Sequence, residues 1–301
     1  MVKAAGLFLL TRQNDYQRLQ ETAAVAKAHE RKVPLEVHFA DNDVRIQTEQ
    51  LYAFIHAHPA GSAIAVEPVS EGALEKVARH ALLAGIGWVL LNRNVSYMNE
   101  LRLEFPSLLV VTITADQKEI GRIQGRQFEA LLRGKGTLLY VSGPPGASAA
   151  NDRLAGMREV IDATAIKYHL VHGDWKEEGG QEIVAKWLRG AGANVPLDLI
   201  GCQNDAMAAG ALRALAGVNA LNRPGLAQIP VTGIDGNPQF GVQLVDRNRL
   251  AATVVTPVVA GRAIELIHES WTTLGFSPPA LEQLPVRSYP GLGSITLRIA
   301  R

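Results

Sequence analysis

Strand and helix signals alternate along this chain with a regularity that predicts an α/β fold of two doubly wound parallel-sheet lobes joined by a hinge. Three observations carry the prediction. Short apolar runs recur, each broken by Gly, Pro or Asn and followed by an amphipathic stretch. The series is too long for one sheet with ordinary connections and restarts near Thr114, Ala115 and Asp116. No low-complexity linker separates the halves, so the crossings are short, and short crossings make a hinge. Strands that alternate with helices imply right-handed crossovers and sheets covered on both faces.

The stretch 137–161 shows the unit most clearly. Residues 138–141 read as a buried strand, Gly143 to Gly146 break it, and a helix follows with Leu154, Met157, Val160 and Ile161 on one side. That places Ser148, Asn151 and Arg153 at the carboxyl end of a sheet, where open α/β folds bind ligands. A plainer reading keeps Ser148 and Asn151 as helix caps and Arg153 as a solvated cation.

The other elements follow in order. Residues 4–10 form a strand and 15–31 a helix, with Tyr16, Leu19, Ala23 and Ala26 along one stripe. Residues 35–40 form a strand, and the next helix turns Val44, Leu51, Phe54 and Ile55 inward. A strand at 63–66, a helix at 71–84, and strands at 88–91 and 109–113 come next. The second half has helices at 119–133, 147–163, 180–188 and 204–215, with a further helix near 238–245. Its strands fall at 138–141, 165–171, 197–201 and 231–234. The strand 252–255 returns the chain to the first lobe, Thr256-Pro257 makes a break, and a long helix occupies 258–274. The tail 294–300 reads as a late strand that crosses back. The resulting lobes are 1–114 plus 253–284, and 115–252 plus 285–301.

Composition narrows the function. The 301 residues suffice for two cores, and 47% hydrophobic with 20% charged residues is ordinary for a globular protein. A net charge of +1 gives no electrostatic case for nucleic acid or an anionic membrane. Cys202 is the only cysteine, which excludes an intramolecular disulfide and a cysteine metal cluster. The N-terminal apolar run is too short for a signal sequence and lacks a small-residue cleavage site after it. The expectation is a chain that stays in the cytoplasm or is presented without its leader.

Residues just after the strands line the expected cleft. They are Asn14, Asp15 and Tyr16; Glu67; Asn92 and Arg93; Ser148 to Arg153; Asp174 and Trp175; Gln203, Asn204 and Asp205; Asp235 and Asn237. Carboxylates, amides and guanidinium groups match adjacent hydroxyls, which both donate and accept. Tyr16 and Trp175 offer apolar faces to the C–H side of a sugar. The charges of Arg93 and Arg153 cancel those of Glu67 and Asp235, which favours a neutral ligand over a phosphate or carboxylate. For Asp15, Asp174 and Asn237, turn or cap formation is an equal reading.

Several motifs carry a resemblance: Leu-Phe-Leu-Leu-Thr-Arg-Gln-Asn-Asp-Tyr, Val-Glu-Pro-Val, Leu-Leu-Asn-Arg, Gly-Pro-Pro-Gly-Ala-Ser-Ala-Ala-Asn-Asp-Arg, Gln-Asn-Asp-Ala-Met-Ala-Ala-Gly-Ala, Gly-Ile-Asp-Gly-Asn-Pro and Ala-Thr-Val-Val-Thr-Pro. In order and spacing, from about Gly6 to about Leu274, the chain resembles the ribose/galactose-type periplasmic sugar-binding proteins of ABC importers (the type I periplasmic binding fold). That fold is shared with the effector domains of lactose-repressor-type regulators. The resemblance implies a ligand held between lobes that close on it by hinge motion, a permease as membrane partner, a monomer and no cofactor. It marks Asn14 and Tyr16 as first-lobe contacts and Arg93 as the arginine that grips adjacent hydroxyls. Arg153, Trp175, Asn204 and Asp235 match second-lobe contacts. Three positions depart from the ribose-type pattern: Asn92 replaces an Asp, Glu67 stands where an Asn is frequent, and Thr256 replaces a Gln near the hinge. A sugar or polyol in the periplasm is the implied setting.

Rival functions fare worse. Gly-Pro-Pro-Gly is not followed by Gly-Lys-Ser/Thr, and Gly134-Lys135-Gly136-Thr137 precedes a strand, so neither is a phosphate loop. No Gly-x-Ser-x-Gly elbow occurs. The close pairs His56/His58 and His169/His172 lack carboxylates at metal-site spacing. Glu67 and Asp235 read as acceptors from ligand hydroxyls before they read as an acid–base pair. The first strand begins almost at Met1, with no basic DNA-reading segment before it, unlike a DNA-binding repressor. A sugar-sensing domain that feeds a kinase, chemoreceptor or transcriptional regulator remains the alternative.

Overall fold

The structure is a computed structural model that describes residues 2–70, 72–93, 95–218 and 225–299. In chain order the elements are β1 (Ala5–Leu9), α1 (Asp15–Arg31), β2 (Leu35–Phe39), α2 (Val44–Ala57), β3 (Ala63–Val66), α3 (Glu75–Leu83), β4 (Gly87–Leu91), α4 (Tyr97–Glu104) and β5 (Val110–Ala115). Then come α5 (Gln117–Leu132), β6 (Lys135–Ser142), α6 (Ser148–Ile161), β7 (Ala165–His172), α7 (Glu177–Arg189), β8 (Leu199–Cys202), α8 (Asp205–Val218), β9 (Val231–Asp235), α9 (Gly241–Asp246) and β10 (Ala252–Val255). The chain closes with α10 (Val259–Thr272), β11 (Leu281–Leu284), β12 (Arg287–Tyr289) and α11 (Leu292–Ile299). It divides into two compact units, Met1–Ala115 with Val258–Leu284, and Asp116–Pro257 with Pro285–Arg301.

Among the described residues, the first unit holds a six-stranded sheet in the order β11-β5-β4-β3-β1-β2, parallel at every pairing. Its inner strands β1, β3, β4 and β5 are buried on both faces, so they read as largely apolar runs, whereas the edge strands β2 and β11 are only partly covered. Successive side chains part to opposite faces. Phe8, Ile64, Val66, Trp88 and Leu90 meet α2, α3 and α4 on one side. Leu7, Leu9, Ala65, Val89 and Leu91 meet α1 and α10 on the other. Each large apolar side chain so buried contributes roughly 1.5–3 kcal/mol.

The second unit repeats the plan as β12-β10-β9-β8-β6-β7, with β12 alone antiparallel among the described pairings. Leu139, Val141, Ile200 and Cys202 face α7 and α8, whereas Leu138, Tyr140 and Leu199 face α5 and α6. The last two helices touch backbone to backbone. A Cβ on Gly121 would lie 2.0 Å from the Arg153 carbonyl oxygen, and one on Gly156 would lie 1.9 Å from that of Lys118. Glycine is therefore required at both places, and the approach fixes the height of Arg153 along α6.

Three expectations are corrected, and three elements were not foreseen. The strand at 252–255 does not return to the first unit; β10 pairs with β9, and the crossing falls after Pro257. The tail is helix α11 rather than a strand, its alternating Ile-Thr-Leu segment being wound into helical turns. The inward stripe of α1 is Gln17, Gln20, Ala24 and Ala28, whereas Tyr16, Leu19 and Ala23 are half-buried and Ala26 is exposed. Helix α4 and the short strands β11 and β12 had no counterpart in the sequence pattern. Residue 71, the expected start of one helix, and residue 300, the expected end of the tail strand, lie outside the described residues.

Candidate ligand site

In the first unit, the carboxyl ends of β1, β3 and β4 assemble a hydrogen-bonded group around one buried acid. Glu67 follows β3 and is 2% exposed. Its Oε2 accepts from Gln17 Nε2 at 2.9 Å and from Asn92 Nδ2 at 3.1 Å. Its Oε1 lies 3.3 Å from Arg93 Nη1, which also donates to the Asn92 carbonyl at 3.2 Å. The other end of the Asn92 carboxamide, Oδ1, accepts from the Tyr16 hydroxyl at 3.3 Å. Asn92 adopts φ 56°, a left-handed conformation that Asn tolerates better than most residues. Gln47, wholly buried, donates to the Glu67 carbonyl at 2.8 Å and accepts from Val69 N at 2.9 Å, which pins the segment after β3.

The structure thus joins Tyr16, Glu67, Asn92 and Arg93, and gives both Glu67 oxygens partners within the protein. Asn14 stands two residues before Tyr16. It caps α1, its Oδ1 accepting from Tyr16 N at 2.9 Å and Gln17 N at 3.3 Å, so it fixes the turn that carries Tyr16. Asp15 pairs with Arg18 on the surface of α1.

In the second unit, Arg153 is 9% exposed, so the solvated reading of this residue does not hold. Its Nη1 donates to the Gln203 carbonyl at 2.6 Å and its Nε to Gln117 Oε1 at 2.8 Å. Its guanidinium carbon lies 5.7 Å from the centre of the Trp175 ring. Trp175 has φ 69°, and its carbonyl accepts from Asn204 Nδ2 at 2.8 Å, while Asn204 Oδ1 caps α8 through Met207 N at 2.8 Å. A Cβ on Gly143 would lie 2.0 Å from the Trp175 ring, so the loop after β6 must be bare there. Arg153, Trp175 and Asn204 therefore form one group.

Asp235 and Thr256 form another: the Asp235 carbonyl accepts from Thr256 N at 3.0 Å and Thr256 Oγ1 at 3.3 Å. Asp174 and Asn237 take the turn-forming reading, accepting from Lys176 N at 3.0 Å and Gln239 N at 2.8 Å. Ala147, not Ser148, stands at the N-cap of α6, and no side chain caps that end.

Behind these groups lies a buried polar lattice. Gln203 accepts from Gly143 N at 2.9 Å and donates to the Tyr140 hydroxyl at 3.0 Å and the Ala150 carbonyl at 2.9 Å. Tyr140 donates in turn to Gln124 Oε1 at 3.0 Å. Burial pushes the Tyr140 hydroxyl and the Cys202 thiol well above their ordinary values, so both stay protonated. Sequence reasoning placed Gln203 at a strand end but missed Gln17, Gln47 and Gln117. The available signal was a glutamine three residues after the Asn14 cap, on the face that lacks a strong apolar stripe.

Among the described residues, no group of three or more His, Cys, Asp or Glu side chains is placed to hold a metal ion. No helix among them is long and apolar enough to cross a membrane. Two α/β units, each with a guanidinium held at the carboxyl ends of its strands, define the class as a periplasmic-binding-type α/β protein. Over residues 5–266 the chain matches the family described as periplasmic binding protein domain, and it belongs to that family. It is a binding protein and not an enzyme.

The chain is 25% identical to the galactofuranose-binding protein YtfQ of Escherichia coli (strain K12), over 85% of this chain and 78% of that protein. It is 28% identical to the xylitol-binding protein of Mycolicibacterium smegmatis (strain ATCC 700084 / mc(2)155), over 65% of this chain and 52% of the relative, about half its length. A solved structure of the periplasmic binding protein component of the arabinose ABC transporter from Shewanella sp. ANA-3, bound to α- and β-L-arabinofuranose, superposes with a TM-score of 0.83 at 24% identity. That superposition covers 98% of this chain and 95% of the other, and it shows the shared fold.

Proposed function

We propose that this protein captures a neutral sugar or polyol in the periplasm and delivers it to the permease of an ABC importer. One observation carries the reading: each unit holds a planar cation at the ends of its parallel strands, Arg93 against Glu67 in one and Arg153 against Trp175 in the other. Guanidinium groups fixed in this way present paired donors to vicinal hydroxyls. The Glu67 charge offsets that of Arg93, which removes the attraction for an anionic ligand. Relatives named for galactofuranose and xylitol support the ligand class.

In this reading Arg93 and Tyr16 contact the ligand from the first unit, with Glu67 and Asn92 orienting them and Asn14 setting the turn. Arg153, Trp175, Asn204 and Asp235 contact it from the second, and Thr256 supports Asp235. A ligand that engages both sets stabilises a closed form through differential contacts. The protein works as a monomer and needs no cofactor. A thermal-shift screen against pentoses, hexoses, inositols and alditols tests the proposal. At a hundredfold excess over Kd, a true ligand adds ~2.7 kcal/mol of stability. No shift with any of the four classes would sink it.

A further inference from the structure

We propose that Asp205 is a positioning residue whose buried carboxylate fixes the left-handed bend at Asp235 and Gly236, and thereby sets where Asp235 presents its oxygens to a bound sugar or polyol. The inference rests on the reading of Asp235 as a ligand contact.

Asp205 opens α8 and is 1% exposed. Its Oδ1 accepts from Thr253 Oγ1 at 2.7 Å, and its Oδ2 accepts from Gly236 N at 2.8 Å. Thr253 lies in β10 and Gly236 directly after β9, so one carboxylate ties a helix start to two neighbouring strands. The surrounding chain is shaped to admit it. A Cβ on Gly233 would lie 2.1 Å from Oδ1, and one on Gly241 would lie 1.8 Å from Oδ2.

The bend needs such a hold. Asp235 has φ 115° and Gly236 φ 60°, and the first is a conformation that side-chain-bearing residues rarely adopt. Thr256 clamps the carbonyl of Asp235 while Asp205 clamps the next amide, so the peptide between them is held from both sides. The ionisable groups that act on Asp205 are Asp235, Arg153 and Cys202. Burial first, and the charge of Asp235 second, push the Asp205 carboxyl well above its ordinary value, against the opposing pull of Thr253, Gly236 and Arg153.

Asp205→Asn separates hold from charge. The amide oxygen still accepts from Gly236, and the amide nitrogen donates to the Thr253 hydroxyl, which rotates to accept. Asp205→Ala removes both bonds. Hydrogen exchange at the Gly236 amide, followed by NMR on the full ligand-free chain, reads the bend directly. The inference expects exchange about tenfold faster or more in the alanine variant, and within about twofold of wild type in the asparagine variant. Calorimetric titration with L-arabinose, D-ribose, D-galactose and xylitol reads the consequence. Affinity for the probe that binds wild type falls about tenfold or more with alanine and recovers with asparagine.

Unchanged Gly236 exchange in Asp205→Ala overturns the inference, as does an asparagine variant that behaves like alanine. If the alanine variant fails to fold, Thr253→Val replaces it; faster Gly236 exchange then supports the hold, and wild-type exchange overturns it. Wild-type protein that binds none of the four probes counts against the ligand class proposed above, while Gly236 exchange still decides the role of Asp205.

Discussion

Glu67 and Arg93 stand at the ends of adjacent parallel strands, carboxylate to guanidinium at 3.3 Å, with side chains 3% and 14% exposed. A pair so shielded is costly to halve, because the survivor keeps its desolvation penalty and loses its partner. Glu67→Ala should therefore lower unfolding stability by about 3–5 kcal/mol, read from urea melts. It should also weaken sugar binding by loosening Arg93. A variant with the wild-type urea midpoint would show that Gln17, Asn92 and Arg93 need no common acceptor.

Arg153→Lys tests the planar fork. Lysine has no planar fork with which to donate at once to the Gln203 carbonyl and Gln117 Oε1 over the Trp175 ring. Calorimetry should register an affinity loss of about tenfold or more for the ligand found by the thermal screen. Equal affinity would mean that charge alone is needed there.

Gly121→Ala acts without touching a site residue's side chain. The new methyl would fall 2.0 Å from the Arg153 carbonyl oxygen, so α6 must shift away from α5. Overpacking of this kind costs about 1–3 kcal/mol. The expected result is a lower Tm together with weaker ligand binding, since Arg153 travels with α6; a lower Tm with unaltered affinity would separate the helix contact from the site.

Stability should also respond to pH through Asp205. Its folded-state value is raised, so proton binding at this carboxyl favours the native protein over the unfolded chain. That contribution is complete below about pH 3.9, the unfolded value, and is lost as pH rises through the raised folded value. Asp205→Asn cannot titrate. Its stability relative to wild type should therefore climb as pH increases from about 4 upward, measured by urea unfolding across a pH series. A flat difference would place the Asp205 proton elsewhere.

The inner strands were legible because both of their faces are covered, which leaves short apolar runs such as those around Phe8 and Trp88. The placement of Arg93, Arg153 and Asp235 at strand ends followed from the same pattern. What escaped was governed by contacts distant in sequence. Gln17 and Gln20 turn inward because Glu67 and the Ala260 N–H await them, so the true stripe of α1 is partly polar and the apolar count misplaced it. Strands β11 and β12 are four and three residues long, too short for any period to register. The position of β10 depends on which neighbour it bonds, and its own residues carry no mark of that choice. Asp205 stood in the right place after β8, but its bonds to Thr253 and Gly236 join segments that sequence spacing alone does not connect.

Helix α10 and strand β11 complete the first unit, yet they follow residue 257. A ribosome that has delivered residues 1–115 has made a sheet with one edge unpaired and with Leu7, Leu9, Val89 and Leu91 lacking the α10 cover. The unit that begins synthesis first is therefore the one obliged to wait, holding an apolar face open until more than a hundred further residues of the other unit have emerged. Folding of the first unit is timed by the arrival of the last part of the chain.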